Sequence, residues 1–267
     1  MADDRYEVFA IRYGSVANRR RRENFMQLDP HENAPMPLDY YVWVIRNDAR
    51  TIVVDTGFDH AEADRRGRRL DRLPREGLAM LGVDAGAIED VIITHLHHDH
   101  AGTLDDFPNA RFHLQEAEMG YVTGACMCHE ALRLPYSVEH VCQVVRRVYS
   151  GRVVFADGDR AVAPGVTVHK LGGHSKGIQC VRVETAAGPL VLASDTAHFY
   201  ENMEAGRPFI ITHDVEATLR GYDRLRALAA NPARIVPGHD PLVMARYPAP
   251  DARLEGIACR LDGERTG

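Results

Sequence analysis

Residues 91–102, VIITHLHHDHAG, decide how this chain is read. The opening residues are apolar and β-branched, the composition of a buried strand. The strand stops at Thr94, and His95, His97, His98, Asp99 and His100 follow within six residues. Imidazole together with carboxylate is a donor set for borderline divalent metals such as zinc, iron, cobalt or manganese. On an extended strand end alternate side chains point the same way. His95 and His97 therefore pair as ligands, while His98 faces away toward an outer hydrogen bond. After a change of direction, Asp99 and His100 serve a second ion, and Gly102 lets the chain leave a crowded centre.

Outward from this cluster, three more donors stand where predicted strands stop. His174 lies in KLGGHSKG beyond a strand at 166–171, Asp195 ends a strand at 190–194, and His239 sits in PGHD after a strand at 235–236. Two ions need three or four protein ligands each, with positions open for water and substrate. The expected assignment is His95, His97 and His174 to one ion, Asp99, His100 and His239 to the other, and Asp195 as the bridge. Asp55, which ends TIVVDTG, reads either as a residue that orients a histidine or a loop, rather than as a ligand, or as the residue of an Asp-mediated turn.

The rest of the chain supplies a layered frame. Strands are expected at 6–13 and 111–114, with a hairpin of 40–45 and 50–55 turning at Asn47 and Asp48. A strand series fills 153–194. Helical or loop structure is expected at 59–73, 77–81, 103–107 and 115–121. Val215, Leu219, Tyr222, Leu225 and Leu228 recur at helical spacing over 214–230, and Asn231-Pro232 breaks that helix. Residues 122–150 have irregular periodicity and serve either as a wall or lid over the site or as cover for one sheet. The four arginines 19–22 lie in a loop containing proline and asparagine. They are either a solvated face or a rim that attracts a carboxylate or acyl-amide substrate. The C-terminal stretch is Pro-rich, then charged, and is expected to fray at Thr266 and Gly267.

Composition narrows the function. At 267 residues the chain is long enough for a substantial core, and 45% hydrophobic with 26% charged residues is ordinary for a globular protein. A formal net charge of -6 argues against a general nucleic-acid binder. No apolar run reaches the length of a membrane span, so no membrane partner is expected. The start MADDRYEVFAI lacks the basic residues and apolar stretch of a secretory signal, and cytoplasmic residence is expected. Five cysteines, Cys126, Cys128, Cys142, Cys180 and Cys259, form no disulfide framework and read as free thiols.

HLHHDH at 95–100 carries the HxHxDH signature of the metallo-β-lactamase superfamily, and His174, Asp195 and His239 follow in the order of that family's remaining ligands. Within it the arrangement most resembles the bacterial N-acyl-homoserine lactonases, over the span from Asp55 to residues 238–240. The resemblance implies an α/β protein, an αβ/βα four-layer sandwich of two mixed β-sheets flanked by helices. It implies two divalent ions per chain, zinc first and iron, manganese or cobalt after it. It also implies one hydrolase domain over 1–267, with segments 19–37 and 119–150 lining the pocket, and a homodimer. The implied activity is the opening of a lactone ring by hydroxide held between the ions, on an N-acyl-homoserine lactone or a related small lactone. Alternatives are another cyclic ester, a cyclic amide or a thioester from a catabolic pathway, or a metal-binding protein without activity.

Two positions depart from the lactonase pattern. There a tyrosine follows the bridging aspartate by three residues and approaches the substrate carbonyl, whereas this chain has His198, with Phe199 and Tyr200 just beyond. His198 or Tyr200 is expected to take over that contact, with Asp99 as the proton carrier. The family's TPGH is replaced by GGH at 172–174. Ser175 has no nucleophile-elbow motif around it, so no covalent intermediate is expected.

Overall fold

Side-chain alternation along the first two long strands builds the layers. In β1 (Glu7–Val16), Phe9, Ile11 and Tyr13 face one core, and Val8 and Ala10 face another. In β2 (Leu38–Arg46), Tyr40, Val42 and Val44 join the first, while Tyr41, Trp43 and Ile45 join the second. A strand apolar on both faces must be covered on both, and this is the central sheet of a sandwich.

In the computed structural model the described residues are 4–263 and Arg265. The expected fraying residues Thr266 and Gly267 lie outside them. Beyond β2 come β3 (Thr51–Val54), β4 (Arg69–Leu70), β5 (Asp90–Ile92), β6 (Arg111–Gln115) and β7 (Val153–Ala156). They are followed by β8 (Arg160–Ala163), β9 (Val166–Lys170), β10 (Gln179–Thr185), β11 (Gly188–Ser194), β12 (Ile235–Pro237) and β13 (Ala258–Arg260). One mixed sheet runs β13-β1-β2-β3-β5-β6-β7 with β4 beside β1, and the other runs β12-β11-β10-β9-β8. Val8, Trp43 and Ile52 of the first meet Val168, Val181 and Leu192 of the second in one buried cluster. Helices Pro74–Met80 and Val138–Tyr149 pack against the first sheet, and helix Val215–Ala229 packs against the second. The result is an αβ/βα sandwich of two mixed sheets flanked by helices.

Local chemistry sets the expected joints. Asn47 Oδ1 accepts from the amides of Ala49 and Arg50 and closes the β2–β3 hairpin. Asp214 caps its helix by accepting from the amide of Ala217.

Four stretches carry structure beyond or short of the expectation. Residues 103–107 form only a 3-10 turn, Leu104–Asp106, with no side-chain cap at Thr103 and with Pro108 directly after Phe107. Residues 59–73 divide into helix His60–Arg66 and the short β4. The stretch 122–150 contains a twelve-residue helix, Val138–Tyr149, in which Val138, Val141, Val144, Val145 and Val148 recur at helical spacing, a period that the irregular residues before it obscure. The C-terminal stretch contributes β13, which pairs antiparallel with β1 through Phe9 and Arg260 at the sheet's edge. Among the described residues no helix is long and apolar enough to cross a membrane.

The interface between the sheets tests this account. Leu192→Ala, which empties a fully buried position facing Trp43's cluster, is expected to destabilise the fold by about 2–5 kcal/mol. Urea unfolding followed by Trp43 fluorescence measures it, and a loss below about 0.5 kcal/mol is incompatible with this packing.

Candidate metal centre

Every candidate ligand sits where a strand of the sandwich ends. The loop carrying His95 to His100 follows β5, His174 follows β9, Asp195 follows β11 and His239 follows β12. Strand ends place side chains at one rim of both sheets, so residues distant in sequence converge. Donor atoms of His95, His97, His174 and Asp195 lie within 4.8 Å of one another, as do those of Asp99, His100, Asp195 and His239.

Asp195 belongs to both groups, and its two oxygens divide between them. Oδ2 lies 3.8 Å from His95 Nε2 and 3.3 Å from His174 Nε2. Oδ1 lies 3.2 Å from His100 Nε2 and 2.9 Å from His239 Nε2. Asp99 Oδ2 is 3.6 Å from both His100 Nε2 and His239 Nε2. His95 Nε2, His100 Nε2 and Asp195 Oδ1 are buried and make no hydrogen bond within the protein. Converging buried lone pairs without donors are what a cation satisfies, so these residues fit a pair of divalent ions.

The opposite edges of the imidazoles are tied down. His100 Nδ1 lies 2.7 Å from Asp55 Oδ2, His174 Nδ1 is 2.7 Å from the Ile211 carbonyl, and His239 Nδ1 is 2.8 Å from the Asp39 carbonyl. Each contact places the proton on Nδ1 and leaves the Nε2 lone pair facing the centre. Asp55 also accepts from the Thr94 amide and hydroxyl, so it spans the ligand loop as an orienting carboxylate. His98 belongs to neither donor group; its Nδ1 lies 3.2 Å from the Pro135 carbonyl and its ring is stacked on Phe58.

Burial sets the charge. It pushes His95 and His97 well below the ordinary histidine range, His98 to about 4 and His198 to about 3, all toward the neutral form a ligand requires. Burial also opposes charge on His100 and His239, but Asp195 and Asp99 beside them prevail and shift both upward.

The backbone is bent to reach this arrangement. Asp55 and Ser194 have positive φ of 61° and 47°, conformations that L-residues adopt at a cost. A Cβ at Gly238 would come within 2.7 Å of Asp195 Oδ1, and one at Gly102 would meet the Gly57 carbonyl at 2.5 Å. Both glycines are there because the backbone passes too close for a side chain.

Of the remaining candidates, His198 reaches the site and Tyr200 does not. His198 Nε2 lies 3.0 Å from Asp195 Oδ2, and its ring stacks on Phe209 at 3.5 Å between centroids. A neutral imidazole has one N–H, and here it donates to the bridging carboxylate. His198 thus holds Asp195 in place from the cavity wall, the side on which its expected contact with a substrate carbonyl would be made. Tyr200 opens helix Tyr200–Ala205 with its ring in the inter-sheet core, Arg246 and Arg265 lying over it at 4.1 and 4.9 Å. The phenol that lines the metal cavity is Tyr40, together with Arg19, Arg66, Arg68, Leu134 and Phe209. Arg19 and Leu134 come from the two segments expected to line it.

Two supports had no signal in the sequence. The fully buried Glu118 accepts from the Leu96 amide, the Ser175 hydroxyl and the Gly177 amide, joining the loops of His97 and His174. Tyr13 donates to the Asp99 carbonyl at 2.8 Å. Neither belongs to a local motif.

With this geometry in hand, comparison with known proteins is direct. The profile of the metallo-beta-lactamase superfamily matches residues 36–239. An N-acyl homoserine lactonase of Bacillus sp is 28% identical over 221 residues, 76% of this chain and 82% of the relative. A probable metallo-hydrolase of Mycobacterium bovis is 29% identical over 222 residues, 74% of this chain and 69% of the relative. Among solved structures, a quorum-quenching N-acyl homoserine lactone lactonase superposes with a TM-score of 0.73 at 24% identity, covering 90% of this chain and 95% of its own. A probable metal-dependent hydrolase from Staphylococcus aureus superposes with a TM-score of 0.75 at 15% identity, over 100% and 97% of the two chains. Motif, ligand order, sandwich and profile agree, and the chain belongs to the metallo-β-lactamase superfamily.

Proposed function

We propose that this chain is a hydrolase that uses a pair of divalent ions, zinc first, to open a small lactone ring. One observation carries the reading: Asp195 offers one oxygen to each of two histidine groups at the floor of a cavity. The lactonase relatives at 26–29% identity favour a lactone as substrate.

A pair of divalent ions, when bound, lowers the pKa of water and polarises an acyl carbonyl. The protein's own groups do the rest. His95, His97 and His174 hold one side of the site, and Asp99, His100 and His239 the other, with Asp195 between them. Asp99, beside the reacting atoms, accepts the proton from the attacking water and returns it to the ring oxygen as the acyl C–O bond breaks. The water oxygen ends on the acyl carbon, the proton ends on the released alcohol, and the product is a hydroxy acid. Buried Tyr40 keeps its proton, since burial and the Asp99 charge raise its pKa. It gives the cavity wall a hydroxyl donor. His198 fixes the bridging carboxylate, and Glu118 fixes the two loops that carry His97 and His174.

Metal analysis of the purified chain is expected to find two ions per chain. Asp195→Ala is expected to lose metal and all measurable lactone hydrolysis, and full activity in a metal-free preparation would sink the proposal. Glu118→Gln is expected to weaken metal binding by roughly 10–100-fold in a chelator competition; an unchanged affinity removes Glu118 from the site. His198→Phe keeps the stack on Phe209 and loses the bond to Asp195. It is expected to retain both ions at saturating metal and to lower kcat by roughly 10–100-fold, whereas a wild-type kcat would leave His198 without a part in turnover.

A further inference from the structure

The cavity over the metal site carries a charge pattern that hydrolysis of a neutral lactone does not use. Arg19, Arg66 and Arg68 line it, in a chain whose formal net charge is -6. The carboxylates that line it, Asp99 and Asp195, are both turned to the histidines. The arginines come from separate parts of the fold. Arg19 lies in the segment after β1, while Arg66 and Arg68 flank Gly67, whose φ of 60° closes helix His60–Arg66. The field of all three reaches the Tyr40 hydroxyl.

Their commitments differ. Arg66 pairs with Glu62 and donates to the carbonyls of Leu134 and Tyr136 at 2.9 and 3.0 Å. Arg19 donates to Asn24 and to the Glu23 carbonyl, with its guanidinium 5.4 Å from the centre of the Phe209 ring. Arg68 makes no side-chain hydrogen bond and no ion pair among the described residues, and its Nε is buried without a partner. Cations gathered at one cavity repel each other, and a buried donor with no acceptor is destabilising. An anion in the cavity removes both penalties.

We propose that the substrate carries a carboxylate on its lactone ring, and that Arg68, which lines the cavity together with Arg19, receives that carboxylate. The inference rests on the lactone reading and adds the substrate class to it. A guanidinium fork meets a carboxylate through two parallel hydrogen bonds. A phosphoryl group, with more charge and three oxygens, needs more donors than one uncommitted guanidinium supplies. The cavity is about 120 Å³, small beside the several hundred Å³ of sites that hold drug-sized ligands. It has room for a single ring with a short anionic substituent. Hydrolysis then adds water across the acyl C–O bond and yields a hydroxy dicarboxylic acid.

The test compares 5-oxotetrahydrofuran-2-carboxylate with its methyl ester on the metal-loaded full chain. The acid is expected to exceed the ester in kcat/KM by roughly 10–100-fold, the range of a hydrogen bond to a charged group. That ratio falls toward one in Arg68→Met and is partly kept in Arg68→Lys, which also serves if the Met variant does not fold. A ratio near one in the wild type, or an unchanged ratio in Arg68→Met, overturns the proposal. Calorimetric binding of cyclopentanecarboxylate against cyclopentanecarboxamide gives a readout independent of hydrolysis. Carboxylate preference that depends on Arg68 without opening of either lactone keeps the anion site and rejects the lactone reading. Opening of both lactones with no preference that depends on Arg68 does the reverse.

Discussion

A single buried carboxylate, Asp195, sets the terms for the rest of the molecule. It is enclosed at the meeting edge of two sheets with the Nε2 atoms of His95, His100, His174, His198 and His239 within 3.8 Å of its oxygens. An ionised carboxylate withdrawn from water is strongly destabilising unless countercharge surrounds it. Of these histidines His198 donates to it, and the lone pairs that the others turn toward it add no countercharge, so the group as a whole is assembled for cations. The positive φ at Ser194, immediately before Asp195, and at Asp55 is a local expense accepted to aim those groups.

Around that centre the protein is layered by hydrogen bonds rather than by further metal donors. Asp55, Ile211 and Asp39 each fix the far nitrogen of one histidine. Glu118 fixes backbone of two ligand loops at once. Farther out, Arg21 and Arg207 both reach Asp29 and Glu201, so the segment after β1 is pinned to the helix that follows His198. The same segment brings Arg19 onto Phe209, which stacks on His198. The wall of the cavity and the floor of the metal site are therefore one connected structure.

How much of this is legible in the chain varies with the range of the interaction. The cluster at 95–100 is dense enough to be recognised locally, and His174 and His239 stand out because glycine precedes each at a strand end. The long helix of the second layer shows its period because its buried face includes Tyr222 and Leu225. Helix Val138–Tyr149 repeats valine at helical spacing but is masked by the irregular residues 122–137 that precede it, and β13 escapes notice because three residues at a sheet edge need a partner strand to be a strand at all. Tyr200 and His198 are separated by one residue, yet the start of a helix between them sends one ring into the inter-sheet core and the other to the site. Spacing alone does not reveal such a divergence.

By itself the sequence determined the donor types, their order and the strand ends that present them, since alternation and ligand chemistry are properties of neighbouring residues. Only the tertiary structure decided which oxygen of the expected bridge, Asp195, serves which histidine group. It also decided that Glu118 and Tyr13 brace the loops, that Tyr40 rather than Tyr200 faces the cavity, and that Arg68 stands there uncommitted. These are relations between residues brought together from distant parts of the chain, and a distance across a closed fold has no counterpart in the local pattern of residues.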